Sequence, residues 1–165
     1  MQHDSKLPNV STSIFAIMSA MAHEHQAINL AQGYPDFKSD QKLIDQVSKA
    51  MNSGDNHSAP RPGVMALRKA ISQKFDLLYG TSYHPESEIT VTAGATQAIY
   101  TAIAAFVKQD DEVIIFRPAY DCYEPAIQLH GGKPISVQLL APDFKVDWDE
   151  VKQKISPRTR MIIIN

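Results

Sequence analysis

The sequence predicts an α/β fold with a mostly parallel sheet and helices on both faces of that sheet. Two observations support this class. From Ile89 onward, short β-branched or apolar runs alternate with segments of helical period. Two of the runs, residues 113–116 and 161–164, are apolar without interruption, which is typical of parallel strands buried on both faces. The 165 residues are 44% hydrophobic and 21% charged, as in an ordinary globular domain.

Three helices are predicted before Ile89. Their expected ranges are residues 13–25, a helix that begins after Ser39 or Asp40, and residues 64–79 with Gly80 as the stop. We expect the second and third helices to bury apolar faces and to keep charged side chains, including Arg68, in solvent. The expected buried residues are Leu43, Ile44, Val47 and Met51 in the second helix, and Leu67, Ala70, Ile71, Phe75 and Leu78 in the third.

The region that follows predicts four strands and three helices in alternation. The strands are residues 89–92, 112–116, 134–139 and 160–165, and the helices are residues 95–107, 120–130 and 147–155. The last strand is expected in the interior of the sheet. Because an exposed Met-Ile-Ile-Ile edge invites aggregation, we expect that 165 residues alone do not form a complete folding unit.

The turn at residues 93–96 is a candidate phosphate site. Backbone N–H groups in the first turn of a helix have no partner within the helix, and the helix dipole places partial positive charge there. Small residues at Gly94 and Ala95 allow an anion to approach the backbone, and the hydroxyl of Thr96 adds a donor. Most strand-turn-helix units bind nothing, so this segment alone leaves both interpretations open.

The loop that follows residues 112–116 contains Tyr120, Cys122 and Tyr123. In a parallel sheet, ligands bind beyond the carboxyl ends of the strands, where both this loop and the turn at 93–96 are expected. Tyr120 can stack on a flat ring that is anchored through its phosphate, or it can pack the helix onto the sheet with Tyr123. No histidine is near Cys122 in sequence, so we expect a small buried apolar residue rather than a nucleophile.

Composition argues against several classes of function. The net charge is −2 and no basic block is present, so neither nucleic acid nor an anionic membrane is an expected partner. Neither an apolar run of about 18 residues nor the apolar core of a signal peptide is found, and we expect a cytoplasmic protein. A single cysteine excludes an internal disulfide, and His23 and His25 lack the spacing of metal ligands on a helix.

Four motifs together make the pattern specific. They are residues 31–37 (Ala-Gln-Gly-Tyr-Pro-Asp-Phe), 59–63 with Leu67-Arg68 behind them, 90–98 and 118–125 (Pro-Ala-Tyr-Asp-Cys-Tyr-Glu-Pro). In this order they resemble the N-terminal portion of class I aminotransferases that use pyridoxal 5'-phosphate, in the methionine, kynurenine and glutamine branch. The resemblance implies a three-layer sandwich. Residues 1–38 would be an N-terminal arm and small-domain segment, and residues 39–165 the first part of the cofactor-binding large domain.

The resemblance also implies roles for individual residues. Gly94, Ala95 and Thr96 would hold the cofactor phosphate, and Tyr120 would stack on its pyridine ring. Gly33, Tyr34 and Ile14 would lie beside the substrate. The loop around Ala59-Pro60 would reach the other subunit's site, which implies a homodimer. The implied substrates are an amino acid and a 2-oxo acid.

Two departures from the family pattern limit what the resemblance implies. Ser58 stands where many relatives carry a tyrosine that reaches the partner subunit's cofactor phosphate. No lysine here matches the Schiff-base lysine, so we expect the 165-residue chain alone to be inactive. A lyase of the same fold and a non-catalytic phosphate-binding protein remain alternatives. A Rossmann-type nucleotide binder fits less well, because the first turn lacks Gly-x-Gly-x-x-Gly.

Overall fold

The computed structural model describes residues 4–8, 10–33 and 35–165, which form two compact units. The sheet unit comprises the residues up to Ala20 together with Ala93–Asn165. The helical unit comprises Met21–Thr92. In chain order the elements are α1 (Ile14–Glu24), α2 (Gln41–Asn52), α3 (Met65–Tyr79), α4 (Gly94–Phe106), β1 (Glu112–Arg117), α5 (Tyr123–Leu129), β2 (Lys133–Gln138), α6 (Trp148–Lys154) and β3 (Thr159–Ile163).

The sheet unit contains a parallel sheet with strand order β2-β1-β3. Ile114 of β1 is in register with Ile135 of β2 and Ile162 of β3. Successive side chains of a strand point to opposite faces. Val113 and Ile115 therefore pack with residues of α4 and α5, whereas Ile114 packs on the other face with residues of β2 and α6. This arrangement confirms the predicted α/β class, with helices on both faces of a parallel sheet.

Acidic residues near the amino ends of the strands form hydrogen bonds and ion pairs with neighbouring segments. Glu112 is only 6% exposed and accepts hydrogen bonds from Ser156 Oγ at 2.6 Å and from Arg158 Nε at 2.8 Å. These two donors hold the pKa of Glu112 below its usual value. The preceding carboxylates also have partners, since Asp110 pairs with Lys133 and Asp111 pairs with Arg160.

The predicted helix ends in the helical unit agree with the structure. The carboxylate of Asp40 accepts a hydrogen bond from the backbone N–H of Lys42 at 2.8 Å and caps α2. Gly80 ends α3 with φ of 63°, a left-handed conformation that favours glycine.

The predicted burial of apolar faces in the helical unit is wrong. Among the described residues α2 buries none of its side chains, and Leu43 and Met51 are 62% and 60% exposed. In α3, Leu67 and Leu78 are exposed, and the buried positions are Arg68 and Ser72. A helical period identifies the residues that share a face, but it does not specify what packs against that face.

Arg68 is the largest departure from expectation at a single residue. The sequence predicted a solvated side chain, yet Arg68 is only 6% exposed. Its Nε donates to the carbonyl oxygen of Gly63 at 3.1 Å and its Nη1 donates to that of Pro85 at 2.8 Å. A guanidinium carries five donors in a rigid fork, so one buried side chain can satisfy carbonyls from two separate loops.

The strand predicted at residues 89–92 is wrong. This segment has no regular secondary structure, and the backbone N–H of Val91 donates to the carbonyl of Pro62 at 3.0 Å. A Cβ atom at Gly63 would lie 2.7 Å from Val91 Cβ, so the close approach of the two backbones requires glycine. β-branched residues fit a pleated surface, but a strand also needs a neighbouring strand, and none pairs with this segment among the described residues.

Two further differences concern the sheet unit. β3, which was predicted to be interior, is an edge strand of the sheet that the described residues form. α5 begins at Tyr123, three residues later than predicted, which leaves Tyr120 in the loop after β1. None of the helices in the described part of the chain combines the length and the apolar character needed to span a bilayer.

Candidate functional site

Two residues that the sequence assigned to cofactor binding meet in the structure. Thr96 Oγ1, in the first turn of α4, lies 3.2 Å from Tyr120 Oη, in the loop after β1. Either hydroxyl can be the donor. The residues are 24 positions apart in sequence, so this contact depends on the packing of the sheet unit.

The amino end of α4 fits a phosphate group. α4 is 13 residues long, and its first turn carries no acidic side chain that would repel an anion. Gly94 has φ of 84°, and a Cβ atom built on it meets nothing within 4 Å, so the space beside the turn is open. Ala95 and Thr96 are exposed, so their backbone N–H groups and the Thr96 hydroxyl can face an incoming anion.

Gln97 supports this turn from within the helix. Its Oε1 accepts the backbone N–H of Ala93, the residue that precedes the helix, at 2.5 Å. A glutamine that reaches back in this way satisfies a donor at the helix start and orders the chain that enters the turn.

Tyr120 is placed to contact a flat ring. Its side chain is 45% exposed, and its ring meets Tyr123 edge to face with centroids 5.9 Å apart. Tyr120 also lines a cavity of about 450 Å³ together with Arg117 and Glu124. Arg117 forms an ion pair with Glu124 and donates from Nε to Ser136 Oγ at 2.8 Å, so these two charges in the cavity are paired.

Cys122 is partly buried and packs against the apolar cluster of α4, α5 and β1. Burial raises the pKa of its thiol, and the charge of Asp121 raises it further. The thiolate is the nucleophilic form, so both effects disfavour covalent chemistry at Cys122, in agreement with the sequence interpretation.

The structure describes two of the three residues implied in substrate binding, Ile14 and Gly33. Ile14 begins α1 and is 62% exposed. Gly33 is exposed, and a Cβ atom built on it would meet nothing within 4 Å. Tyr34 lies outside the described residues. The role of all three stays a prediction.

The sequence interpretation did not identify the partner of Tyr123. Tyr123 Oη donates to Asn165 Oδ1 at 2.8 Å, across 42 positions of sequence. The sequence offered packing of the helix onto the sheet as one role for Tyr123. No local feature indicated Asn165 as its hydrogen-bond partner. In the part of the chain that the structure describes, no group of three or more His, Cys, Asp or Glu side chains is arranged to hold a metal ion.

Comparison with known proteins gives consistent matches. The family described as aminotransferase class I and II matches residues 25–165. Methionine aminotransferase of Escherichia coli is 51% identical over 161 residues, which are 98% of this chain and 42% of that protein. A probable N-succinyldiaminopimelate aminotransferase of Mycobacterium tuberculosis is 38% identical over 164 residues, 98% of this chain and 41% of that protein.

A solved structure agrees with these sequence matches. The crystal structure of Escherichia coli YbdL, identified as a methionine aminotransferase, superposes with a TM-score of 0.94 at 49% sequence identity. The match covers 98% of this chain and 42% of YbdL. This chain therefore spans less than half the length of the relatives that it matches.

Proposed function

This chain belongs to the class I and II aminotransferase family, and we propose that its protein transfers an amino group from an amino acid to a 2-oxo acid with pyridoxal 5'-phosphate as cofactor. The observation that carries the proposal is the 3.2 Å contact between Thr96 Oγ1 and Tyr120 Oη. It brings a residue suited to hold a phosphate next to a residue suited to stack on a ring.

In this proposal the amino end of α4 holds the cofactor phosphate. The backbone of Gly94 and Ala95 and the hydroxyl of Thr96 donate to the phosphate oxygens. The first turn lacks acidic side chains, and the helix dipole favours an anion there by about 0.3–1 kcal/mol at an exposed site. The phosphate thereby fixes one end of the cofactor.

Tyr120 orients the ring of the cofactor, at the end away from the phosphate. Its side chain is 45% exposed, which leaves area for stacking, and its hydroxyl lies 3.2 Å from that of Thr96. When bound, pyridoxal phosphate supplies the electron sink that stabilises negative charge at the substrate's α-carbon. A phosphate anchor and a stacked ring together hold the cofactor in a fixed orientation relative to the substrate.

We propose methionine, glutamine or an aromatic amino acid as donor, because the methionine aminotransferase match covers 98% of this chain. Gly33, Tyr34 and Ile14 are proposed to contact the substrate. We also propose a cytoplasmic homodimer, in which residues 1–38 serve as an arm and small-domain segment and residues 39–165 contribute to the cofactor-binding domain.

The test is an assay on the full natural protein loaded with pyridoxal phosphate. A panel of amino acid donors is combined with 2-oxo acid acceptors, and both products are quantified by mass spectrometry. Transfer requires equal amounts of new amino acid and new 2-oxo acid. Ammonia released without any acceptor would instead identify a lyase, and absence of cofactor uptake would identify a non-catalytic protein.

Variants at Tyr120 connect that assay to the proposed site. Tyr120→Ala should weaken cofactor retention by roughly 1–3 kcal/mol through lost stacking area, whereas Tyr120→Phe keeps the ring and should retain most of the affinity. Tyr100→Ala removes a tyrosine whose ring contacts His130 and serves as the matched control. An unchanged cofactor affinity in Tyr120→Ala would contradict the proposed stacking of Tyr120 on the cofactor ring.

A further inference from the structure

Tyr123 is a buried tyrosine that contacts Tyr120 and has no role in the proposed function so far. Tyr123 is the first residue of α5 and is 6% exposed. Its ring meets Tyr120 edge to face at 5.9 Å with an interplanar angle of 76°. Its hydroxyl donates to Asn165 Oδ1 at 2.8 Å.

These contacts continue into the proposed cofactor site. Tyr120 is held at its hydroxyl by Thr96 and along its ring by Tyr123, which is held in turn by Asn165. The four side chains form a continuous path from the residues that follow β3 to the first turn of α4. Each step of this path is a hydrogen bond or an aromatic edge contact.

Tyr120 needs such support because it lies in a loop and is 45% exposed. A loop side chain that is free to rotate loses entropy when it stacks on a ring, whereas a side chain that is already oriented loses less. A phenol is protonated at neutral pH, so Tyr123 acts as the donor to Asn165, and burial raises the pKa of Tyr123 further.

We propose that Tyr123 is a positioning residue for the ring of Tyr120 and that Asn165 anchors Tyr123 through its side-chain oxygen. Tyr123 acts through Tyr120 and does not itself touch the cofactor. The inference rests on the proposed function, since it assigns Tyr120 to the cofactor ring.

The experiment measures cofactor binding in the full natural protein. Tyr123→Phe keeps the edge contact and removes only the hydroxyl, and Asn165→Leu removes the acceptor at an exposed position. Each should raise the Kd for pyridoxal phosphate about three- to tenfold, the range expected for one hydrogen bond. The Kd of the double variant should be no higher than that of the weaker-binding single variant, because both changes remove the same hydrogen bond.

Two further variants serve as controls. Asn165→Asp retains an acceptor oxygen and should bind the cofactor nearly as well as the wild type. Tyr100→Phe removes the hydroxyl of a tyrosine in α4 whose ring contacts His130, and it should leave the Kd unchanged. Two readouts accompany the Kd: circular dichroism of the bound cofactor's visible band, which reports how the ring is held, and the unfolding midpoint of the apoprotein.

A rise in Kd larger than the loss of apoprotein stability accounts for, together with altered circular dichroism and a non-additive double variant, supports the proposal. An unchanged Kd in Tyr123→Phe and Asn165→Leu overturns it, as does additivity of the two changes. A Kd that rises only in proportion to lost apoprotein stability also overturns it, since the role is then structural. A wild-type protein that does not bind pyridoxal phosphate overturns the proposed function and this inference with it.

Discussion

At the scale of single residues, Arg68 shows how backbone carbonyls can stabilise a buried charged side chain. Two loop carbonyls, of Gly63 and Pro85, accept its hydrogen bonds. A buried carbonyl without a donor is costly, and a charged donor forms the stronger kind of hydrogen bond. Arg68 thereby joins α3 to the loops on either side of it.

Replacing this side chain should destabilise the protein. Arg68→Met keeps the apolar stem but leaves the two carbonyls without their donor, and we expect a loss of about 2–4 kcal/mol in the free energy of unfolding. Urea unfolding followed by circular dichroism measures the change. Lys69→Met, at the next and exposed position, is the matched control, and equal midpoints for the two variants would contradict the role of Arg68.

At the scale of elements, α6 shows how a short helix is stabilised. Seven residues are too few for a helix that is stable by itself. Two features compensate. Val151 is 2% exposed and packs in the cluster with Ile114 and Phe116, and the carboxylate of Asp147 accepts the backbone N–H groups of Asp149 and Glu150.

Removing the cap of α6 should therefore have a measurable cost. Asp147→Ala leaves two backbone donors without their acceptor and is expected to destabilise the protein by about 1 kcal/mol. Asp143→Ala, which removes an exposed ion pair with Lys145, should change stability much less. Thermal unfolding of both variants measures the difference. A larger loss in Asp143→Ala than in Asp147→Ala would show that the cap is unimportant.

At the scale of the whole sheet unit, stability depends on the ionised carboxylates before β1 and at its start. The pKa values of Asp110, Asp111 and Glu112 all lie below their ordinary values. The main causes are Lys133 for Asp110, the backbone N–H of Lys108 for Asp111, and Ser156 with Arg158 for Glu112. A lowered pKa in the folded state stabilises the fold above the unfolded pKa, and this stabilisation disappears as the pH falls through the folded value.

The pH dependence should accordingly change in Glu112→Gln. At about pH 7 the variant should be less stable than the wild type, and the difference should shrink as the pH falls below 4.5 and through the lowered pKa of Glu112. Urea unfolding across this range measures the difference. Glu24→Gln, at an exposed position of α1, controls for the change in net charge. A difference that stays constant with pH would contradict the role of the Glu112 carboxylate.

Features set by neighbouring residues were determined by the sequence itself. The cap at Asp40, the stop at Gly80 and the strands at the apolar runs of β1 and β3 were predicted and are confirmed. Burial on both faces is confirmed for β1 but not for β3, where Ile162 is 40% exposed. Each depends on backbone geometry or on the period of nearby side chains, and both can be read from a short stretch of chain. The motifs that indicated the aminotransferase family are local in the same sense.

Contacts between distant residues were decided only by the tertiary structure. The link from Tyr123 to Asn165 and the burial of Arg68 depend on which elements pack together. Residues 89–92 have strand-forming side chains, but a strand forms only where another backbone offers a complete ladder of hydrogen bonds. Local propensity carries no information about that partner. Thr96 of the predicted phosphate turn and Tyr120 are in contact only because α4 and the loop after β1 pack on the same sheet.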